Sequence, residues 1–569
     1  FNRSWLRQRE LQPRLAPPDE ALPRALVSGL RPGGGPDPSL TARTALWVGG
    51  VSMLVLMIAT ANAANLWVGR ALARRRETAL RLACGIGRGR LVSQLMTESL
   101  VVAGTSAAAG LCLAYWGSAV MFRLLTTATG PVAGMIDDRV LLATVAVTVI
   151  AAILTSIGPS LFAHRVPVAA SLRTGPRGTT EGMRLRTALA IAQASLSVML
   201  IVGAILFVRS FMAAKAAPLG YEPDRVLTVN RTYRGAPLPA AERAELRRRL
   251  LEAAKAHPAV EAASWRFTTP FGTSAQARFT VDGIDAVDRL GPFTTQEASA
   301  DYFKVMGTRI VKGRAFNRDD RPDTPRVVVV SQTMADVLWP GQDPIGQCMR
   351  FTGPRAGTCA TVVGVAEDVV LTRLTANDKH FYLSLDQSGG DGTGMFLRVR
   401  GEPADHAESI RRALQPLMPG TSYVTVQPLE TLVARGHQSW RTGAFLFVTF
   451  GALALAVAAI GLYGVLNYGI SQRLPEVGVR LALGARRADI LWLVLRPSVG
   501  LALGGIAAGT ALTIGASRWI EPLLFQQSAT APSAYVLAGA VLCSAALAAA
   551  LVPAARALRT DPCVVLKGD

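Results

Sequence analysis

Long apolar runs alternate with short basic segments at both ends of the chain, and a polar stretch with shorter periodicities lies between them. Seven charge-poor runs, near residues 44–68, 92–122, 138–163, 187–211, 442–470, 490–519 and 534–555, are long enough to cross ~30 Å of hydrocarbon at about 1.5 Å per residue. Buried helices of a soluble enzyme normally keep a polar stripe at that length. These runs keep none, so membrane spans are expected.

The middle stretch follows other periods. Arg225–Asn230 reads as a strand, Ala240–Ala256 as an amphipathic helix and Val260–Phe267 as a second strand. Met395–Val399, Pro403–Leu417 and Ser422–Val426 repeat that order. Between the two units lie β-rich pieces, Val327–Ser331 and Thr361–Val365 among them, with turn signals such as Pro340-Gly341. The expected fold class is therefore membrane α-helical, with seven predicted spans, plus an α/β extracytoplasmic domain of two strand-helix-strand units and a β-rich insertion.

Charge sharpens this picture. Half of the residues are hydrophobic, yet the formal net charge is +21. Nucleic-acid binding is one common cause of such basicity, but acids and bases nearly balance from Pro218 to Gln438, and the excess sits beside the apolar runs, as from Arg70 to Arg90. A membrane protein fits this distribution and a nucleic-acid partner does not. Threading seven spans places the basic segments 69–91, 164–186, 471–489 and 556–569 on one side, and 123–137, 212–441 and 520–533 on the other. The positive-inside rule then predicts a cytoplasmic C-terminus and a large external domain. The chain starts with Phe, and residues 1–42, rich in Pro and Gly, read as the tail of a truncated periplasmic domain.

A repeat reorganises the map. Glu77-Thr-Ala-Leu-Arg81-Leu-Ala-Cys-Gly85 aligns with Glu476-Val-Gly-Val-Arg480-Leu-Ala-Leu-Gly484, each between an apolar span and further Arg residues. Pro159–Arg165 likewise resembles Pro553–Arg559. The expected domains are a first unit of three spans at 43–175, the first span of a second unit at 183–212, the external domain at 213–438, and three more spans at 439–569. Glu and Arg four apart share a helix face and can pair, and Gly85 and Gly484 suit a helix C-terminus. Each segment is predicted to be a short amphipathic helix at the cytoplasmic surface. An interfacial anchor needs charge but no repeated register, so duplication argues for a docking role.

The Glu-x-x-x-Arg-Leu-Ala-x-Gly segment after a span resembles the FtsX-like permease domain of MacB/FtsX/LolC-type ABC transporters. Asp301-Tyr-Phe-Lys-Val-Met-Gly307, Gly313-Arg-Ala-Phe316, Trp339-Pro-Gly-Gln-Asp-Pro-Ile-Gly346 and Val362-Val-Gly-Val-Ala-Glu-Asp-Val369 resemble the MacB-type periplasmic core domain. Two FtsX-like copies in one polypeptide resemble the duplicated permeases of Acidobacteria. The resemblance implies a bacterial inner-membrane permease subunit served by a separate cytoplasmic ABC ATPase of the MacB type. It also implies export or extraction of a hydrophobic or amphiphilic substrate, and possible work with a periplasmic adaptor or outer-membrane channel. Glu77, Arg81, Gly85, Glu476, Arg480 and Gly484 are carried over as ATPase-coupling residues, with the second copy the better match. A non-transporting FtsX-like relay acting on a periplasmic partner is the alternative.

Chemistry of the chain's own is not expected. No segment fits Gly-x-x-x-x-Gly-Lys-[Ser/Thr], Gly-x-Ser-x-Gly is absent, and the five His are dispersed, so ATP hydrolysis falls to another subunit and neither metal nor cofactor is expected. The central stretches of the spans are nearly free of ionisable residues, which argues against a polar pore; Glu98 and Arg496 lie near the cytoplasmic ends. Gly500-x-x-x-Gly504, Gly505-x-x-x-Gly509 and Ser106-x-x-x-Gly110 serve either internal packing or a dimer seam. Cys348 and Cys359 flank a turn-bearing stretch, so a disulfide across a hairpin stands beside two unpaired thiols.

Overall fold

A computed structural model describes residues 40–74, 77–78, 80–81, 84, 86–125, 138–165, 180–234, 238–272, 275–284, 287–351, 359–371, 374, 379–388, 392–483 and 485–558. The tail expected at 1–42 lies almost wholly outside them. Two compact units are distinguished, the external residues Ala214–Gln438 and the helices flanking them in sequence.

The first four helices are α1 (Leu40–Ala73), α2 (Arg88–Leu125), α3 (Asp138–Arg165) and α4 (Thr180–Ala216). Ala- and Leu-rich and without internal Pro except near the end of α3, they satisfy every backbone group within the segment, which hydrocarbon demands. α2 packs on α3, and α3 on α1. Leu113, Trp116, Leu142 and Val145 face outward, the orientation expected against lipid.

The external unit opens with β1 (Val226–Thr232), α5 (Ala240–Ala256) and β2 (Val260–Arg266), then β3 (Ala275–Gln276), β4 (Phe279–Val281), β5 (Thr294–Ala298), α6 (Tyr302–Met306), β6 (Ile310–Gly313), β7 (Arg326–Ser331), α7 (Gln332–Leu338), β8 (Cys348–Phe351), β9 (Cys359–Ala366), β10 (His380–Ser384) and α8 (Leu385–Ser388). It closes with β11 (Gly394–Val399), α9 (Pro403–Leu414), β12 (Tyr423–Pro428) and α10 (Leu429–Gly436). All strands join one sheet in the order β12-β1-β11-β2-β5-β10-β7-β9-β8-β4, with β3 on β5 and β6 on β9.

The two strand-helix-strand units interlock. β1 lies between β11 and β12, antiparallel to both. Leu227, Val229, Ala263, Trp265 and Leu397 point to α5 and α9, meeting Leu246, Leu250 and Ile410 in one core. Val226, Tyr302, Tyr382 and Phe396 fill the other face. The β-rich insertion has its own core around Val328, Val330, Met349 and Phe381, and β2 meets β5 at a single pair, Arg266 opposite Ala298. Two of the sequence's motif glycines are conformational: Gly307 ends α6 with φ 75°, and Gly313 has φ 75° where a Cβ would strike the Val363 carbonyl.

The chain ends with α11 (Gln438–Ala482), α12 (Arg487–Ile520) and α13 (Pro532–Leu558). Val198, Val202 and Leu206 of α4 pack with Ala444 of α11 and Ala534, Ala538 and Leu542 of α13. At Gly505 and Gly509 of α12, an added Cβ would meet Ala194 and Ser195 of α4, so these glycines serve packing inside the chain.

Six helical stretches are long and apolar enough to cross a membrane among the described residues: Val48–Ala71, Gly89–Gly117, Leu185–Ala216, Gln438–Asn467, Leu491–Leu523 and Pro532–Leu551. The run near 138–163 is a helix where predicted, but its described apolar stretch, Val140–Ser156, belongs to the 10–17-residue class. Among the described residues six full-length spans are found beside this helix, against the seven expected.

Candidate coupling site

Glu476 and Arg480 lie in the last turns of α11, which continues unbroken for 45 residues. The second copy thus has no separate surface helix, contrary to the sequence expectation. A growing helix gains a backbone bond per residue at no new nucleation cost, and Pro475 interrupts that gain at only one position. In the first copy α1 does end, at Ala73, and a turn at Arg74 precedes helical Glu77–Thr78 and Leu80–Arg81. Thr78 donates both its N–H and its hydroxyl to the Arg74 carbonyl, 2.9 and 3.0 Å.

Beyond that point the copies coincide. Arg81 Nη2 lies 2.5 Å from Glu77 Oε1, and Arg480 Nη2 lies 2.7 Å from Glu476 Oε1. Ile86 N–H donates to the Arg81 carbonyl at 3.2 Å, and Ala485 N–H to the Arg480 carbonyl at 2.9 Å. A bond from residue six to residue one is the mark of a Schellman closure, whose penultimate residue is usually a left-handed Gly. Gly85 and Gly484 occupy that place in the sequence and lie outside the described residues. The next helices start at matching positions, Arg88 and Arg487.

All four charged side chains are 41–51% exposed. An exposed i,i+4 pair contributes only about 0.3–0.5 kcal/mol, too little to explain a duplicated register by helix stability. Apolar side chains stand out beside them: Leu80 is 50% exposed, Val479 45% and Leu483 82%. The copies differ at several positions, Gly87 against Arg486 among them, and two further differences bear on their surroundings. Exposed Cys84 stands where the second copy has Leu483. Arg81 also reaches Gln94 Oε1 of α2 at 3.4 Å, and Gln94 reaches Glu98 at 3.4 Å, whereas the position matching Gln94 is Leu493.

On the external domain, Cys348 and Cys359 fall on the antiparallel pair β8–β9, with Cα atoms 5.5 Å apart and sulfurs at 2.20 Å.

Two buried arginines escaped the sequence reading. Arg266, 1% exposed, lies across the strand at Gly394, where a Cβ would sit 3.0 Å from its Nη2. It donates to Thr228 Oγ1 at 2.8 Å, to Asn230 Oδ1 and to Thr393 Oγ1 at 3.2 Å, and its guanidinium carbon is 4.7 Å from the Phe396 ring centre. Burial is the main cause that pulls its pKa down to about 10. Arg186, 3% exposed, sits at the start of the α4 span. Its Nε donates to Asn65 Oδ1 of α1 at 3.0 Å and its Nη2 to the Gly464 carbonyl of α11 at 3.4 Å. A census of charges in mid-span passes over Arg186 because it borders the apolar run, and over Asn62 and Asn65 because they are neutral.

The MacB-like periplasmic core domain model matches residues 186–417, and the FtsX-like permease C-terminal model matches twice, at 49–168 and 448–562. The chain is 26% identical over 286 residues to the "Probable syringafactin export ATP-binding/permease protein SyfD" of Pseudomonas syringae pv. syringae (strain B728a), covering 48% of this chain and 43% of that protein. It is 25% identical over 285 residues to the macrolide export ATP-binding/permease protein MacB of Chromobacterium violaceum, covering 46% and 41%. The match thus spans less than half the length of these curated relatives. Among solved structures, the periplasmic region of MacB from Actinobacillus actinomycetemcomitans matches 38% of this chain and 94% of its own, at 14% identity and TM-score 0.28. The extracellular domain of YknZ, a noncanonic ABC-type transporter from Gram-positive bacteria, matches 36% and 99%, at 14% identity and TM-score 0.26.

Fold, spans and matched segments define a multi-pass membrane permease with a periplasmic-type α/β domain. The chain belongs to the MacB/FtsX-type permeases of ABC transporters.

Proposed function

We propose that the chain is the permease of an exporter, driven by a separate cytoplasmic ATPase that docks on the two segments around Glu77–Arg81 and Glu476–Arg480. The observation that carries this reading is the reproduction of one local structure at both places, with ion pair, helix closure and exposed apolar side chains in the same register. Apolar side chains at a charged surface beside the membrane are an ordinary mark of a protein interface. The relatives' names, syringafactin and macrolide export, support an amphiphilic substrate class. The same reading sets the protein in the inner membrane with its C-terminus cytoplasmic and its large domain in the periplasm, where Cys348 and Cys359 would be bridged.

Co-purification with a MacB-type ATPase tests it, comparing the intact chain with Glu77→Lys and Glu476→Lys. Loss of association and of stimulated ATP hydrolysis is expected, larger for Glu476→Lys. Unchanged association in both variants would sink the assignment.

A further inference from the structure

Four buried side chains of α4 fall seven apart: Arg186, Gln193, Leu200 and Phe207. On α11 they meet positions of similar spacing in the opposite order. Arg186 Nη2 donates to the Gly464 carbonyl at 3.4 Å, and Gln193 Nε2 to the Val457 carbonyl at 3.0 Å. A Cβ on Gly451 would lie 3.7 Å from the Leu200 carbonyl oxygen, and one on Gly443 2.6 Å from the Phe207 ring. α4 and α11 are thus an antiparallel pair joined along a heptad seam.

The seam is fastened differently at its two ends. At one end the rings lock: Phe207 enters the notch at Gly443 and Phe447 the notch at Gly203, and the rings stack with centres 4.6 Å apart at 14°. At the other end the fastening is polar. An arginine at the border of a span ordinarily turns its head to water. Arg186 turns inward instead, 3% exposed, its Nε donating to Asn65 Oδ1 of α1 at 3.0 Å. A helix carbonyl keeps a second lone pair beside its own ladder bond, so α11 accepts both donors without breaking its helix. Helices in lipid are held by packing and by hydrogen bonds between them. Close packing resists parting; a directional bond to one particular carbonyl also resists sliding.

Register matters because of what the two helices carry. α11 ends in the Glu476–Arg480 segment and is fed by β12 through α10, while α4 runs into β1, the partner strand of β12. A displacement of α11 that α4 does not share has to be taken up between β1 and β12. We infer that Arg186 and Gln193 are positioning residues of the export stroke, axial keys that hold α4 and α11 in one register so that both strands receive the same displacement. The seam is read from geometry alone; its part in the stroke rests on the docking reading proposed above.

Two measurements on the full chain separate these parts. The first uses no ATPase. A Cβ on Gly451 would lie 3.8 Å from that of Ala204, the separation usual in a disulfide. Ala204→Cys with Gly451→Cys, in a chain whose Cys84, Cys112, Cys543 and Cys563 are changed to Ser, should bridge within single chains in membranes. No bridge in a folded protein would overturn the seam. The second follows amide exchange of β1 and β12 in nanodiscs with a MacB-type ATPase. With both keys in place, ATP turnover should leave these strands protected. Arg186→Lys with Gln193→Leu keeps the charge that anchoring alone requires but removes the planar fork and the amide. Hydrolysis should stay stimulated, while exchange in β1 and β12 quickens during turnover only. Adding the Ala204→Cys and Gly451→Cys bridge should restore protection until it is reduced. Gln193→Leu alone, the milder change, should show the same effect in smaller measure. Strands that stay protected during turnover in both variants would overturn the inference, and so would exchange already fast without ATP, the mark of a merely structural role. An intact chain that forms the bridge but binds no ATPase would overturn the docking reading, and the stroke role with it, while leaving the seam.

Discussion

At the scale of single residues, two buried charges in the external domain make opposite demands. Arg266 has three neutral acceptors and an aromatic face around it. Replacing it with Met leaves buried Thr228 and half-buried Asn230 without their donor, and a buried polar group deprived of its partner costs about 1–3 kcal/mol. Arg266→Met is expected to lower the unfolding temperature of the full chain in detergent by several degrees, which differential scanning fluorimetry checks. Asp320 is 5% exposed, and burial alone would push its carboxyl up. Arg314, in two bonds of 2.9 Å, and the N–H of Asn317 reverse that, and the result lies below the usual carboxylate range. A lowered folded-state pKa gives stability that is present above the unfolded value of about 3.9 and lost as pH falls through the folded one. Asp320→Asn should flatten the acid limb of the stability–pH curve below about pH 4. A limb of unchanged steepness would show that other carboxylates govern it.

At the scale of elements, much was legible and some was not. Helix Ala240–Ala256 was read to the residue, because its apolar positions Leu246, Leu250 and Ala254 recur every fourth place. Strand β9 runs two residues before and one after the predicted Thr361–Val365, since both ends of a ladder are set by partners, here β7 and β8. The interlocking of the strand-helix-strand units was not legible, because alternation within a strand does not say which strand lies beside it. The ion pairs of the coupling segments were visible as spacing; the continuity of α11 was not, since Pro475 reads as a boundary. Two predictions belong here. Leu483→Asp should weaken ATPase association in a pull-down while leaving thermal stability within about 0.5 kcal/mol, as expected of an exposed site. Opening the Cys348–Cys359 link across β8–β9 with a reductant should speed amide exchange in those two strands and spare β1 and β12; equal exchange in both conditions would mean the thiols are unbridged.

At the scale of the whole molecule, α4 leads into β1 through Pro223–Arg225, and β12 leads through α10 into α11. β1 and β12 are neighbours running in opposite directions, Leu227 facing Pro428 and Thr232 facing Tyr423. Both spans therefore grip the domain at the same end of one ladder, and this decides which mechanical loads the domain can bear. A force that draws the two grips apart peels the ladder rung by rung, meeting one hydrogen-bond pair at a time, each worth only about 1 kcal/mol. A push or tilt shared by both grips is carried by every rung together. In single-molecule stretching between handles at Ala216 and Gln438, the β1–β12 ladder should yield first and at low force, with the insertion around β7–β9 still folded. Loads that move the two helices as one would find the domain a strut, and loads that part them would find a mechanical fuse.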